Sequence, residues 1–153
     1  MNKNYTQVLP DESATCSVGQ KLAQLLTAPM RVYLSGPLGA GKTALVRSFL
    51  QTLGVKGLIK SPTYALVEPY SFSSYSIYHF DFYRFFDQNE WEASGFRDCF
   101  EEHAICLVEW AEKAGDLLPL PDLHIHLKYS GEGREIHIQA HTPKGCALIG
   151  QFK

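Results

Sequence analysis

The residues best suited to chemistry are consecutive: Gly36-Pro37-Leu38-Gly39-Ala40-Gly41-Lys42-Thr43. A glycine, four residues, then Gly-Lys-Thr is a spacing that suits a polyphosphate. Glycines let successive backbone N–H groups turn inward to form a concave anion cradle. Lys42 is a point charge that reaches β- and γ-phosphates, and the Thr43 hydroxyl is a ligand for Mg²⁺. The candidate nucleotide-binding run is therefore Gly36, Gly39, Ala40, Gly41, Lys42, Thr43 and Ala44. Such a loop works only between a strand and a helix. Arg31 to Ser35 is an apolar strand-like run, and Lys42 to Leu53 has helical spacing with Gly54 as its stop.

A phosphate loop holds a nucleotide, but hydrolysis also needs an acid for the metal and for water. Glu109 ends the buried-strand run Ala104 to Val108, where such an acid belongs, although Asp is usual there. The structural alternative is a Glu that starts the next helix. Asp81 is the second acid, set among aromatics in His79-Phe80-Asp81-Phe82-Tyr83-Arg84. A carboxylate is costly to bury there without a cation. It fits a place beside the metal or toward the attacking water, with a salt bridge to Arg84 as the alternative. Lys42, Asp81 and Glu109 are the catalytic candidates, and Thr43 and Glu109 the metal candidates. Ser61, Pro62 and Thr63 form a stiff hydroxyl-bearing turn suited to sensing a γ-phosphate, or simply to turning the chain.

The elements that must position these groups follow from punctuation and period. A helix starts near Pro10 to Ser13, capped by Asp11 or Ser13, with Val18, Leu22, Leu25 and Leu26 on one face until Pro29. Ala65 to Pro69 and Ser76 to Phe82 are expected antiparallel strands. Asn89 to Gly95 reads as a short helix, and Glu112 to Leu118 as another. Leu123 to Leu127 and Glu135 to Ala140 form a hairpin about the turn Ser130 to Arg134. This order predicts an α/β domain spanning residues 1–153. The expected architecture is a P-loop NTPase-like three-layer sandwich around a mixed, mainly parallel sheet with antiparallel additions.

Composition limits the partners. The net charge of −2 supplies little attraction for nucleic acid or an anionic membrane. No apolar run approaches the ~18 residues of a membrane span, and the polar N-terminal sequence reads as no signal peptide. Four scattered cysteines favour free thiols in a reducing compartment, so a cytoplasmic location is expected. His124 and His126 share a strand face, with no third metal ligand nearby in sequence. Ten of the nineteen aromatic residues lie between Tyr64 and Phe86, more than two strands easily bury, which suggests a partner-docking face, with nucleic-acid base stacking as the rival that the negative net charge disfavours.

Six strings occur together in order: Gly39 to Thr43, Ser61-Pro62-Thr63-Tyr64, Val67-Glu68-Pro69-Tyr70, His79 to Arg84, Gly95-Phe96-Arg97-Asp98 and Leu107-Val108-Glu109-Trp110. Over roughly residues 8 to 140 the chain closely resembles the TsaE (formerly YjeE) family. The resemblance implies a cytoplasmic, weakly active P-loop ATPase using ATP and Mg²⁺. It implies action with TsaB and TsaD, which threonylcarbamoylate adenosine 37 of tRNAs reading ANN codons. It also implies that Lys42 binds phosphate, Thr43 and Glu109 hold Mg²⁺, Asp81 supports catalysis and Ser61 to Tyr64 form a switch-like loop. The adenine end would lie near Asp11 or Glu12 and Arg134. Pro37 stands where an acid is usual, Ala44 replaces a usual second Thr, and Cys99 a usual aromatic. No direct tRNA recognition by this chain alone is expected. The alternative is a small-molecule P-loop kinase, but Glu109 to Pro121 contains only Lys113 where a kinase lid would carry several arginines. A GTP switch is a further alternative, without the Asn/Thr-Lys-x-Asp motif that reads guanine.

Overall fold

The apolar and alternating segments assemble into one mixed sheet. The computed structural model describes residues 3–59, 61–62, 64–85 and 87–152. Its elements are β1 (Asn4–Leu9), α1 (Glu12–Leu25), β2 (Met30–Ser35), α2 (Lys42–Thr52), β3 (Val67–Ser71), β4 (Ser76–Asp81), α3 (Gln88–Ala93), α4 (Phe96–Glu101), β5 (Ala104–Glu109), β6 (Leu123–Ser130), β7 (Gly133–Ala140) and α5 (Pro143–Phe152). The strand order is β1-β7-β6-β2-β5-β4-β3. The central strands β6, β2, β5 and β4 run parallel, while β3, β7 and β1 are antiparallel additions. The expected α/β architecture is the one observed.

Strand alternation divides the interior in two. On one face, Val32, Leu34, Ile105, Leu107, Ile125 and Ile138 pack beneath Val18 and Leu22 of α1, Leu45 and Phe49 of α2, and Ile149 and Phe152 of α5. On the other, Tyr33, Cys106, Val108 and Phe80 pack with Trp91 of α3 and Phe96 and Phe100 of α4. This second layer absorbs Phe80, Phe82 and Phe85, all buried. These three are core because α3 and α4 supply cover that two strands alone lack, while Tyr70, Phe72 and Tyr75 pack half-buried against the other layer. Tyr64 at 84 % and Tyr83 at 44 % exposure remain at the surface.

Several boundaries differ from expectation. β1 was hidden by its polar half: only its Tyr5, Gln7 and Leu9 side turns inward, against β7. α4 is six residues long and held by Phe96 and Phe100, and α5 is masked in sequence by Pro143, Gly145 and Gly150. The segment expected as a helix over Glu112 to Leu118 is two 3₁₀ turns, Ala111–Lys113 and Gly115–Leu117. β3 begins at Val67 because Leu66 takes a left-handed φ of 67°. Its amide donates to Pro62 O and its carbonyl accepts from the Asp81 amide, so the turn after Ser61 is stitched to the end of β4.

Candidate functional site

The phosphate loop leaves the carboxyl end of β2 and enters α2 at Lys42. Two glycines are needed for this path. Gly36 has φ 152°, and a Cβ there would lie 2.4 Å from Leu127 O. Gly41 caps α2 in the left-handed region, φ 108°. The β6–β7 hairpin braces the loop from outside. Tyr129 Oη donates to Leu38 O at 2.7 Å, and Arg134 Nη2 to Gly39 O at 3.1 Å. The Arg134 guanidinium also lies 4.3 Å over the Tyr129 ring. Lys42 is buried, its Nζ donating to Gly36 O at 2.6 Å and sitting 4.3 Å from the Trp110 ring centre.

Parallel pairing brings the acids alongside. Glu109 stands opposite Leu34 on β2 and opposite Asp81 on β4. Both carboxylates are buried, at 3 % and 5 % exposure. Glu109 is the last residue of β5 rather than the start of a helix, and Trp110 after it turns sharply with φ 58°. Asp81 Oδ2 accepts from Ser61 Oγ at 2.9 Å and Oδ1 from the Tyr83 amide at 3.0 Å. The ion-pair alternative for Asp81 is therefore replaced by hydrogen bonds, while Arg84 stacks 4.7 Å over the Tyr64 ring.

A cleft of about 590 Å³ gathers Glu12, Gly39, Ala40, Gly41, Lys42, Thr43, Ala44, Ser61, Asp81, Glu109 and Arg134 into one lining. Gly36 lies behind Lys42 in an adjoining depression. Pro62 is buried without joining the lining, and Thr63 lies outside the described residues. Of the two alternatives near the expected adenine end, Asp11 Oδ1 accepts from the Ala14 amide at 2.9 Å as the α1 cap. Glu12 and Arg134 both line the cleft. Hydroxyl and carboxylate oxygens at one mouth suit a hard cation such as Mg²⁺. Asp81 and Glu109 end neighbouring strands in register, so a cation between them would offset the repulsion of their charges. The His124 and His126 rings stack at 4.0 Å, yet among the described residues no group of three or more His, Cys, Asp or Glu is placed to hold a metal.

Sequence reasoning missed several lining residues: Thr15, Tyr83, Trp110 and Glu132. It also missed His79, whose Nε2 lies 2.6 Å from Glu109 Oε2. His79 shares a face with Asp81 by strand period, a signal that becomes useful only once β4 is known to pair with β5.

A phosphate loop on the central parallel strand, beside strands bearing acids at their carboxyl ends, defines the P-loop α/β class. The family model described as "Threonylcarbamoyl adenosine biosynthesis protein TsaE" matches residues 9–136. The tRNA threonylcarbamoyladenosine biosynthesis protein TsaE of Haemophilus influenzae is 43 % identical over 155 residues, covering 98 % of each chain. Its Bacillus subtilis counterpart is 37 % identical over 138 residues, 89 % of this chain and 84 % of that one. The crystal structure of Bacillus subtilis YdiB superposes with a TM-score of 0.81 at 26 % identity, covering 99 % of this chain and 95 % of that one. The chain belongs to the TsaE family.

Proposed function

We infer that this protein is a Mg²⁺-dependent ATP-binding protein with slow ATPase activity, acting with TsaB and TsaD in threonylcarbamoylation of tRNA adenosine. One observation carries the reading: Lys42, Thr43, Asp81 and Glu109 line a single cleft of about 590 Å³, a volume in the ~300–1,000 Å³ range of ligand pockets. In this reading Lys42 binds the β- and γ-phosphates, and Thr43 and Glu109 hold Mg²⁺, which neutralises charge developing on the phosphates. Asp81 orients the attacking water or supports the metal. Ser61, bonded to Asp81, gives the Ser61–Thr63 turn a route to sense nucleotide state. Glu12 and Arg134 flank the adenine end. The pathway assignment rests on the names of the relatives, and a role in tRNA modification supports a cytoplasmic location. No described helix is long and apolar enough to cross a membrane.

Slow turnover fits the arginines. Fast P-loop hydrolysis uses an arginine against the transferring phosphoryl group. Arg84 and Arg134 line the cleft, but Arg134 is tied to Gly39 O and Arg84 lies over Tyr64, while Arg97 pairs with Glu92 at 2.7 Å. A partner complex would then complete the site. A kinase reading lacks support from the 3₁₀ turns after β5, which bear Lys113 and no arginine. Docking falls to the exposed Tyr64 and Tyr83 beside the cleft.

Phosphate release should be measured with ATP, GTP and small acceptors, alone and with the TsaB–TsaD pair. The reading expects slow ATP-specific hydrolysis without phosphoryl transfer, and co-purification with the pair that depends on nucleotide. Transfer to an acceptor, or nucleotide-independent indifference to the pair, would overturn it.

A further inference from the structure

Beneath the acids lies a polar group that the proposed chemistry has not used. His79, in the middle of the parallel face of β4, is 1 % exposed. Its Nε2 lies 2.6 Å from Glu109 Oε2, while its Nδ1 has no hydrogen-bond partner among the described residues. A buried, unpaired nitrogen costs about 1–3 kcal/mol. Packing alone does not explain the cost, because Ile77 fills the preceding position on the same face with no polar atom. Buried polar groups kept at such a cost call for another explanation.

The geometry supplies one. His79 pairs across the sheet with Leu107 and Asp81 with Glu109, so the imidazole reaches one step along β5 toward the Glu109 carboxylate. A Glu side chain has one more rotatable bond than the Asp usual at this position. At a strand end its carboxylate would sample several orientations, each a different distance from Thr43. An Nε2–H donated to Oε2 fixes one of them and leaves Oε1 unengaged by His79, on a residue that lines the cleft. Neighbours of metal-binding carboxylates act in this way, and their loss costs about 10–100-fold in metal affinity.

We propose that His79 is a positioning residue that locks the Glu109 carboxylate in the orientation required by nucleotide-bound Mg²⁺. The proposal rests on the reading of Glu109 as the metal acid. It explains why a Glu serves here: the added length is restrained by a histidine from the neighbouring strand.

Calorimetric titration of ATP, in Mg²⁺ and in EDTA, tests it. The wild-type protein should gain affinity in Mg²⁺. His79→Leu should keep its metal-free affinity and lose about 10–100-fold of that gain. His79→Gln, whose amide N–H still donates to Glu109, should restore most of it. A folded His79→Leu with the full Mg²⁺ gain overturns the proposal. If that variant does not melt cooperatively, the wild-type protein decides: its His79 ring-nitrogen resonances should move with Mg²⁺–ATP and stay with metal-free ATP. Identical spectra under the two conditions also overturn the proposal. A wild-type affinity indifferent to Mg²⁺ refutes instead the metal reading on which it rests.

Discussion

Replacing Asp81 by Asn separates charge from shape at the centre of the site. The side chain accepts two hydrogen bonds, from the Tyr83 amide at 3.0 Å and from Ser61 Oγ at 2.9 Å. Asn keeps an oxygen for Tyr83 and turns its NH₂ to Ser61, whose hydroxyl can accept instead of donate. The backbone link from the Asp81 amide to Leu66 O is untouched. What is lost is charge assistance, about 1 kcal/mol per bond when charged pairs at ~1.5–3 kcal/mol become neutral ones at ~0.5–1.5. Removing one of two adjacent buried carboxylates returns part of this. The net is a destabilisation of about 1 kcal/mol, a fall of roughly 2–4 °C in Tm for a chain of this size. Turnover should fall about ten- to a thousand-fold, roughly 1.4–4 kcal/mol of transition-state stabilisation, because an orienting charge acts mainly there. ATP affinity should stay within a few-fold. Thermal melting, calorimetry and phosphate release measure the three quantities. A variant that hydrolyses ATP like the wild type refutes the catalytic role; one that no longer folds shows that the charge serves the scaffold.

Three further outcomes follow from the same geometry. Lys42→Ala should nearly abolish ATP binding in calorimetric titration, since Lys42 is the cation built into the loop; unchanged affinity would make the loop structural. Tyr129→Ala removes both the bond to Leu38 O and the surface under Arg134, and should weaken ATP binding about 3–10-fold, in line with a lost interaction of ~1 kcal/mol. Tyr129→Phe should fall between this variant and the wild type. Burial, then the neighbouring His126 and His141, lowers the His124 imidazole to about 4 from its ordinary 6.5. The unfolded chain therefore binds more protons between these values, and stability falls as pH drops through that window. His126 is also lowered, chiefly by burial, and adds to the trend. Tm measured from pH 7 to 4 should fall more steeply for the wild type than for His124→Gln, and equal slopes would refute this account.

How much of the fold was legible depended on whether an element carries its own signal. β5 is a continuous apolar run and β2 nearly one, and the phosphate loop fixes both a strand end and a helix start. Those elements, and the closing hairpin, could be read from sequence. β1 could not, because an edge strand buried on one side needs β7 beside it to become recognisable. α4 and the turns after β5 are too short for a period to show, and α5 carries Pro and Gly that usually punctuate. The aromatic run could be divided into core and surface only with the fold in hand. The burial of Phe80, Phe82 and Phe85 depends on Trp91, Phe96 and Phe100, which lie later in the chain and arrive through tertiary packing.

The site was legible where chemistry is local and illegible where it is shared between strands. Lys42 and Thr43 stand in one octet, and Glu109 and Asp81 each end a strand, so their residue types and positions were informative. The bonds that set these groups in place run between distant segments: Ser61 to Asp81, His79 to Glu109, Tyr129 and Arg134 to the loop. None has a spacing in sequence, because each depends on strand order and register. The order β6-β2-β5-β4 is what converts them into neighbours. With β2 flanked by β5 and β6, the loop it launches meets an acid from one side and a brace from the other. The distribution also separates two kinds of substitution. Changes within the loop or at the acids should act on ATP binding or turnover directly. Changes at Ser61, His79, Tyr129 or Arg134 should act by loosening a group that is itself intact, and conservative variants that keep the bond should recover function. Rescue of that kind would show that register across the sheet, as much as the motif, makes the site.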